Sequence, residues 1–273
     1  VNGHSSEIHA CNLDEQKKIL EISLDEVGDK VPVINGVYSD GSLEAAKIAS
    51  MAQDLGASAL LCFPPQSMSM GGSLRPEMAI EHFKRISDAS DLPLICFNYP
   101  LSGGLSYPFE TLLKLFDEVP TIKAIKDWCN DPMVHEKHIR IFQNLPKPVN
   151  VLTTHSAWLM SSLVMGANGL LSGAGSVIAP LQVRLFNAVK NNNLEEAKAI
   201  NDKIFPLVQL FYKPPFLDMH NRMKETLVIL NAIQKAIVRP PLMKLPLDEI
   251  EELKKTVNKI NLDNKLNFVK TVG

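Results

Sequence analysis

From residue 31 to residue 172 the sequence alternates between short β-branched or apolar runs and longer segments with helical spacing. VPVINGV (31–37), SALLCF (58–63), LPLICFN (92–98), residues 121–126, VNVLT (149–153) and NGLLS (168–172) read as strands. Residues 43–55, 76–88, 108–118, 132–144 and 156–165 fall between them with helical spacing, and 180–191 follows the last strand. The expected apolar faces are Leu43, Ala46, Ile48 and Leu55 in 43–55, and Met78, Ile80, Phe83 and Ile86 in 76–88. Strand and helix in strict alternation predict a parallel sheet with helices outside it.

The two ends of the chain depart from this rhythm. Val1-Asn2-Gly3-His4-Ser5-Ser6-Glu7 is polar, like a strand-to-helix loop, with almost no strand before it. Asn12 and Glu15 have capping-box spacing for a helix through about residue 28, with Leu13, Ile19, Leu20 and Val27 available for burial. At the other end, 194–212, 217–236 and 247–260 read as helices without a strand signal, and Arg239-Pro240-Pro241 as a loop. The expected organisation is a barrel over 1–191 and a helical extension over 192–273.

Within the alternating region, VPTIKAIKDWCND (119–131) places Lys126 at the end of a short strand, ahead of an acidic helix start at Asn130-Asp131. A lysine at the carboxyl end of a buried parallel strand is placed to meet a ligand. Buried there, it would lose its proton readily and become a neutral amine able to attack a ketone. An ordinary surface lysine at a strand end is the competing reading.

Composition excludes several other classes. The chain is 45% hydrophobic and 21% charged with a formal net charge of -2, so it has the profile of a globular protein and gives no reason to expect nucleic acid or a membrane surface as partner. Cys11, Cys62, Cys96 and Cys129 fall in no metal-ligand or CxxC spacing; a reducing, cytoplasmic setting is the simplest, with no metal expected. The most apolar region, 157–181, is broken by Ser, Gly and Asn and is not read as a membrane span.

Several stretches taken together resemble the dihydrodipicolinate synthase / N-acetylneuraminate lyase family of (β/α)8 barrels. In order they are NGHSSE (2–7), where that family has a Gly-Thr-Thr-Gly-Glu type loop; FNYP (97–100), where it has Tyr-Asn-x-Pro; IKAIKD (122–127), its lysine strand; and GANGLLSGAGSVIAP (166–180), its last-strand region. Arg239-Pro240-Pro241-Leu242 before an acidic final helix resembles the family's ending. The resemblance spans essentially the whole chain and implies a TIM barrel with a C-terminal helical extension. Family members carry a strand-helix unit and most of a second strand ahead of the NGHSSE-like loop, so an N-terminal unit is expected to be missing here. Unpaired strand edges in an open barrel favour a truncated sequence as the explanation.

For Lys126 the resemblance implies a Schiff base with pyruvate or another 2-oxo acid, in a lyase or aldolase that needs no cofactor. It also implies a homo-oligomer, commonly a tetramer. The sequence departs from the family elsewhere. The proton-relay tyrosine falls on Phe97, which has no hydroxyl. The arginine after Tyr-Asn-x-Pro is absent from Leu101-Ser102-Gly103-Gly104, and the interface tyrosine would fall near Pro65-Gln66. True dihydrodipicolinate synthase activity is therefore not expected.

Other residues are candidates for what these positions lack. Tyr99 shares a face with Phe97 in an extended segment and is the candidate proton relay; a loop tyrosine packed on a neighbour is the alternative. His4, in a threonine position of the family, either titrates near neutrality at the substrate or only hydrogen-bonds its loop. Ser5 keeps a hydroxyl at the second threonine position and can hold a carboxylate with the loop amides, or satisfy local backbone. Leu171 matches a pocket-lining position, which burial explains equally well. Asp127 reads as a neighbouring group or a helix-start acid, and His155 as a neighbouring group or a capping or surface group. Two other functions remain open: a 2-oxo acid-binding barrel without turnover, and a sugar-phosphate enzyme using Ser172–Ser176 as a phosphate loop.

Overall fold

The computed structural model describes residues 1–262. Two compact units are seen, one formed by residues 1–155 with 165–170, the other by 156–164 with the residues from 171 onward.

The first unit is an α/β layer built on a six-stranded sheet. Its strands are β1 (Ile34–Val37), β2 (Ala59–Cys62), β3 (Leu94–Asn98), β4 (Ile122–Asp127), β5 (Asn150–Thr153) and β6 (Gly169–Leu170), all parallel and in sequence order. Helix α1 (Leu13–Val27) precedes the first strand, and α2 (Ser42–Leu55), α3 (Pro76–Asp88), α4 (Phe109–Glu118) and α5 (Pro132–Phe142) join successive strands from β1 to β5. One face of the strands from β1 to β5 feeds a core shared with these helices. Leu60, Cys62, Leu94, Cys96, Ile125 and Val151 pack there with Ile48, Phe83, Leu112 and Phe142. Alternation in an extended chain sends their neighbours Phe97 and Lys126 to the other face.

Local signals explain the boundaries. Asn12 and Glu15 form the predicted capping box: Glu15 N–H donates to Asn12 Oδ1 at 2.9 Å and Asn12 N–H to Glu15 Oε2 at 3.0 Å. The expected helix faces are corrected at their ends. Leu20, Ile48, Ile80, Phe83 and Ile86 are buried, whereas Leu13, Val27, Leu43 and Met78 are exposed. Ala45, Ala49 and Ala52 complete the buried face of α2, allowing it to lie close to the sheet.

The second unit is helical. It contains α6 (Leu159–Val164), α7 (Gly175–Lys190), α8 (Leu194–Phe211), α9 (Met219–Ile229) and α10 (Leu247–Lys259). Arg222 of α9 is fully buried; it pairs with Glu249 of α10 at 3.1 Å and donates to the carbonyls of Phe211, Lys213 and Pro215, satisfying acceptors at the end of α8. Helix α9 stops short of the expected residue 236 because Asn231 takes a left-handed conformation, φ 56°, at its end. Helix α7 begins before the expected residue 180, with a kink at Ile178 two residues ahead of Pro180. Among the described residues no helix is long and apolar enough to cross a membrane.

Candidate active site

Strand β4 ends in Lys126 and Asp127, which alternation sends to opposite faces of the sheet. Lys126 is 4% exposed, and no hydrogen bond or ion pair engages it among the described residues. Its Nζ lies 4.0 Å from the centre of the Phe97 ring, the residue opposite it on β3. Burial pulls the lysine pKa down to about 7, so a large fraction of the amine is neutral near physiological pH.

The wall beside this amine is aromatic. The Phe97 ring centre is 4.4 Å from that of Tyr99 and 5.3 Å from that of Phe63, and Tyr99 lies 5.4 Å from Trp128. Burial, with the neighbouring Tyr38, pushes the Tyr99 hydroxyl pKa up, so it is a protonated donor. His4 closes the group, edge-on to Phe97 and Tyr99 at 5.9 Å from each and tilted against Trp128 at 6.1 Å. His4 and Tyr99 are thus brought together beside the Lys126 partner.

The loop carrying His4 and Ser5 is anchored by residues that sequence reasoning missed. Asn2, buried, donates from Nδ2 to the Gln16 carbonyl at 2.9 Å and to Asn35 Oδ1 at 2.8 Å, and Gly36 N–H donates to the Val1 carbonyl at 3.0 Å. A Cβ on Gly36 would collide with the Asn2 carbonyl oxygen, so only glycine permits this approach to β1. Ser6, not Ser5, makes the local backbone bond, from Oγ to the Gly3 carbonyl at 2.7 Å. The Ser5 hydroxyl has no partner among the described residues.

On the helix-facing side, Asp127 is not a helix-start acid; it is a fully buried clamp. Its Oδ2 is 2.7 Å from His135 Nδ1 and 2.9 Å from His138 Nδ1, both on α5. Oδ1 accepts from Asn98 Nδ2 and the Cys129 amide, each at 3.2 Å. Burial works to raise the Asp127 pKa, but the bonds from the two histidines outweigh it and hold the carboxyl well below the usual range. Capping falls to Asp131, which accepts from the amides of Met133 and Val134. His155 is also buried: its Nε2 accepts from the Asn130 amide at 2.9 Å, and burial, opposed by the Asp127 charge, brings its pKa to about 3. Asp127, Cys129 and His135 hold ligand-type atoms within 4.8 Å of one another. Each is engaged, Cys129 Sγ with the Asp131 carbonyl at 3.3 Å, so the cluster acts as a hydrogen-bonded clamp.

The last-strand region differs from expectation. β6 covers only Gly169–Leu170, because the chain turns as soon as the Ser172 carbonyl accepts the Gly175 amide. Leu171 lies beyond the strand, half-buried, in the second unit. The amides of Gly175, Ser176, Val177 and Ile178 all donate to carbonyls of residues 172–174 and are not open to a phosphate.

Comparison with known proteins agrees with this architecture. The sequence model described as the dihydrodipicolinate synthetase family matches residues 1–260. A protein named 4-hydroxy-tetrahydrodipicolinate synthase from Methanopyrus kandleri is 27% identical over 266 residues, 95% of this chain and 83% of that protein. Among solved structures, YagE, a prophage protein of the dihydrodipicolinic acid synthase family from E. coli K12 in complex with pyruvate, superposes with a TM-score of 0.85 at 22% identity, covering 95% of this chain and 85% of that one. A monomeric dihydrodipicolinate synthase variant gives the same TM-score and identity, with 96% and 85% covered. The structural likeness establishes the shared fold.

Proposed function

This chain belongs to the dihydrodipicolinate synthetase family, a family of lyases and aldolases, and from that premise we propose that Lys126 condenses with the ketone of pyruvate or another 2-oxo acid. The observation that carries this reading is a buried amine, free of any counter-ion among the described residues, at the carboxyl end of a parallel strand. The six strands are read as an arc of a (β/α)8 barrel, in which strand carboxyl ends carry the chemistry. Their unpermuted order supports this.

The neutral Nζ adds to the keto carbon, and the carbinolamine loses its hydroxyl as water once a proton is supplied. The resulting iminium withdraws electrons from the adjacent carbon. A carbon-carbon bond there breaks, or a proton leaves, with the electron pair passing into an enamine. Protonation of the enamine and hydrolysis of the imine release product and restore the lysine. Phe97 cannot carry these protons. Tyr99, kept protonated by burial, is the proposed donor, with His4 at its edge as the alternative carrier. Ser5 and the amides of its loop are assigned to the substrate carboxylate.

The substrate is proposed to differ from that of the dihydrodipicolinate synthases. Phe97 replaces the relay tyrosine that the family resemblance leads one to expect, and Leu101-Ser102-Gly103-Gly104 offers no arginine. The same Phe97 favours a second reading, a barrel that binds a 2-oxo acid without turning it over.

Incubation with pyruvate and borohydride, followed by peptide mass spectrometry, tests the proposal. The expected product is a reduced adduct on Lys126, absent from Lys126→Ala. No adduct across a panel of 2-oxo acids would falsify the Schiff-base reading, and adduct without turnover of any aldol in the panel would assign the chain to the binding barrel.

A further inference from the structure

The first unit contains a cavity of about 420 Å³ whose walls include Asn98 and His138 but neither Lys126 nor Phe97. This volume is within the range of small-molecule sites. It lies on the Asp127 side of β3 and β4: Asn98, Cys129 and His138, all on its wall, hydrogen-bond to that carboxylate.

Its lining defines the chemistry of an occupant. Phe109, Leu101 and Val134 supply apolar surface. Lys137 holds its Nζ 3.7 Å from the Phe109 ring centre and has no ion-pair partner among the described residues. The carboxylate on the wall, Asp131, accepts the amides of Met133 and Val134 on its Oδ1. His138 is 3% exposed and stacked on Phe142 and Phe109. Its Nδ1 faces an ionised carboxylate that can only accept, so that nitrogen carries the hydrogen. In the neutral ring Nε2 is then an acceptor, and no described residue donates to it.

We propose that this cavity is a second small-molecule site, selective for a hydroxy-carboxylate with an apolar body. The carboxylate pairs with Lys137 Nζ, the hydroxyl donates to His138 Nε2, and the apolar body lies against Phe109, Leu101 and Val134. A carboxylate without the hydroxyl leaves Nε2 unmet, and an alcohol without the carboxylate leaves Lys137 unpaired. The site does not depend on the chemistry assigned to Lys126.

Calorimetric titration with mandelate, phenylacetate and benzyl alcohol tests it. Mandelate is expected to bind wild type, with phenylacetate about tenfold weaker, corresponding to one hydrogen bond, and benzyl alcohol weaker still. Lys137 is exposed, so Lys137→Gln is expected to fold and to weaken mandelate about tenfold, with Lys137→Arg restoring affinity. Lys126→Ala is expected to bind mandelate as wild type does. The proposal is overturned by absence of mandelate binding, by equal affinity for phenylacetate, by indifference to Lys137→Gln, or by loss of binding in Lys126→Ala.

Discussion

Lys126 and Phe97 stand opposite one another in the β3–β4 register, with the lysine Nζ 4.0 Å from the centre of the phenylalanine ring. The ring faces the amine with its electron-rich surface and favours the ammonium, while burial favours the neutral form. Burial prevails, leaving the pKa near 7. The same side chain that removes a hydroxyl from the site therefore moderates the nucleophile.

Adduct formation with pyruvate is accordingly expected to rise about tenfold per pH unit below 7 and to level off above it, because only the neutral amine attacks. Phe97→Leu removes the ring's stabilisation of the cation, on the order of 1 kcal/mol, and moves the midpoint down by about half a unit to one unit. Borohydride trapping rates measured from pH 5 to pH 9 check both; a midpoint near the ordinary lysine value would contradict the burial assigned to Lys126.

The same burial has a consequence for stability. Lys126 has a folded pKa of about 7 against an ordinary lysine value of 10.5. Between those values the unfolded chain binds a proton that the folded chain does not, so stability rises with pH across that window, and below it the buried charge is unfavourable throughout. Lys126→Met is expected to stabilise the fold by a few kcal/mol at pH 6 and by much less at pH 10. Urea unfolding of the two proteins at both pH values measures the difference.

The sheet was legible because its strands combine β-branched runs with regular helical spacers, and Lys126 because it ends one of them. The Asn12–Glu15 capping box lies within four consecutive residues and was equally readable. The Asp127 clamp was not. His135 and His138 have ordinary helical spacing, and only the β4 register shows that both point their Nδ1 atoms at one carboxylate on another element. The helix faces failed at Leu13, Leu43 and Met78, because a terminal turn overhangs the sheet it packs on and periodicity does not locate that edge. Of the site residues, Tyr99 and His4 meet through a contact between two loops, one following β3, that no local pattern records.

If Tyr99 supplies the protons, Tyr99→Phe keeps the aromatic wall and removes only the hydroxyl. Turnover is expected to fall about 100-fold, within the usual range for general acid-base catalysis, while trapping of pyruvate on Lys126 continues. His4→Gln separates the alternative carrier. A larger loss in His4→Gln than in Tyr99→Phe would transfer the role to the histidine.

Asp127→Asn leaves one oxygen where the carboxylate served donors on both, and directs an amide N–H₂ toward existing donors. A loss of about 3 kcal/mol is expected at neutral pH. The folded pKa is depressed below the ordinary aspartate value of 3.8, so the carboxylate's contribution is fully present above that value and declines as pH falls below it. The penalty of Asp127→Asn should therefore shrink in acid. Denaturant unfolding of both proteins at pH 7 and pH 3 measures it, and a penalty independent of pH would mean the clamp acts through shape alone.

Gly36→Ala tests the anchoring of the loop that carries His4 and Ser5. The added methyl meets the Asn2 carbonyl, and β1 cannot retreat because Gly36 is paired with Leu61 of β2. The loop must move instead, breaking the Gly36 amide bond to Val1 and straining the Asn2 side-chain bonds to Gln16 and Asn35. Ser5 acts on the bound carboxylate in this scheme and Lys126 on the keto carbon, so displacement of the loop is expected to raise the pyruvate concentration needed for half-maximal trapping about tenfold. The trapping rate at saturation should change much less. An equal fall in the saturated rate, with the half-maximal concentration unchanged, would show that the loop positions the lysine rather than the substrate.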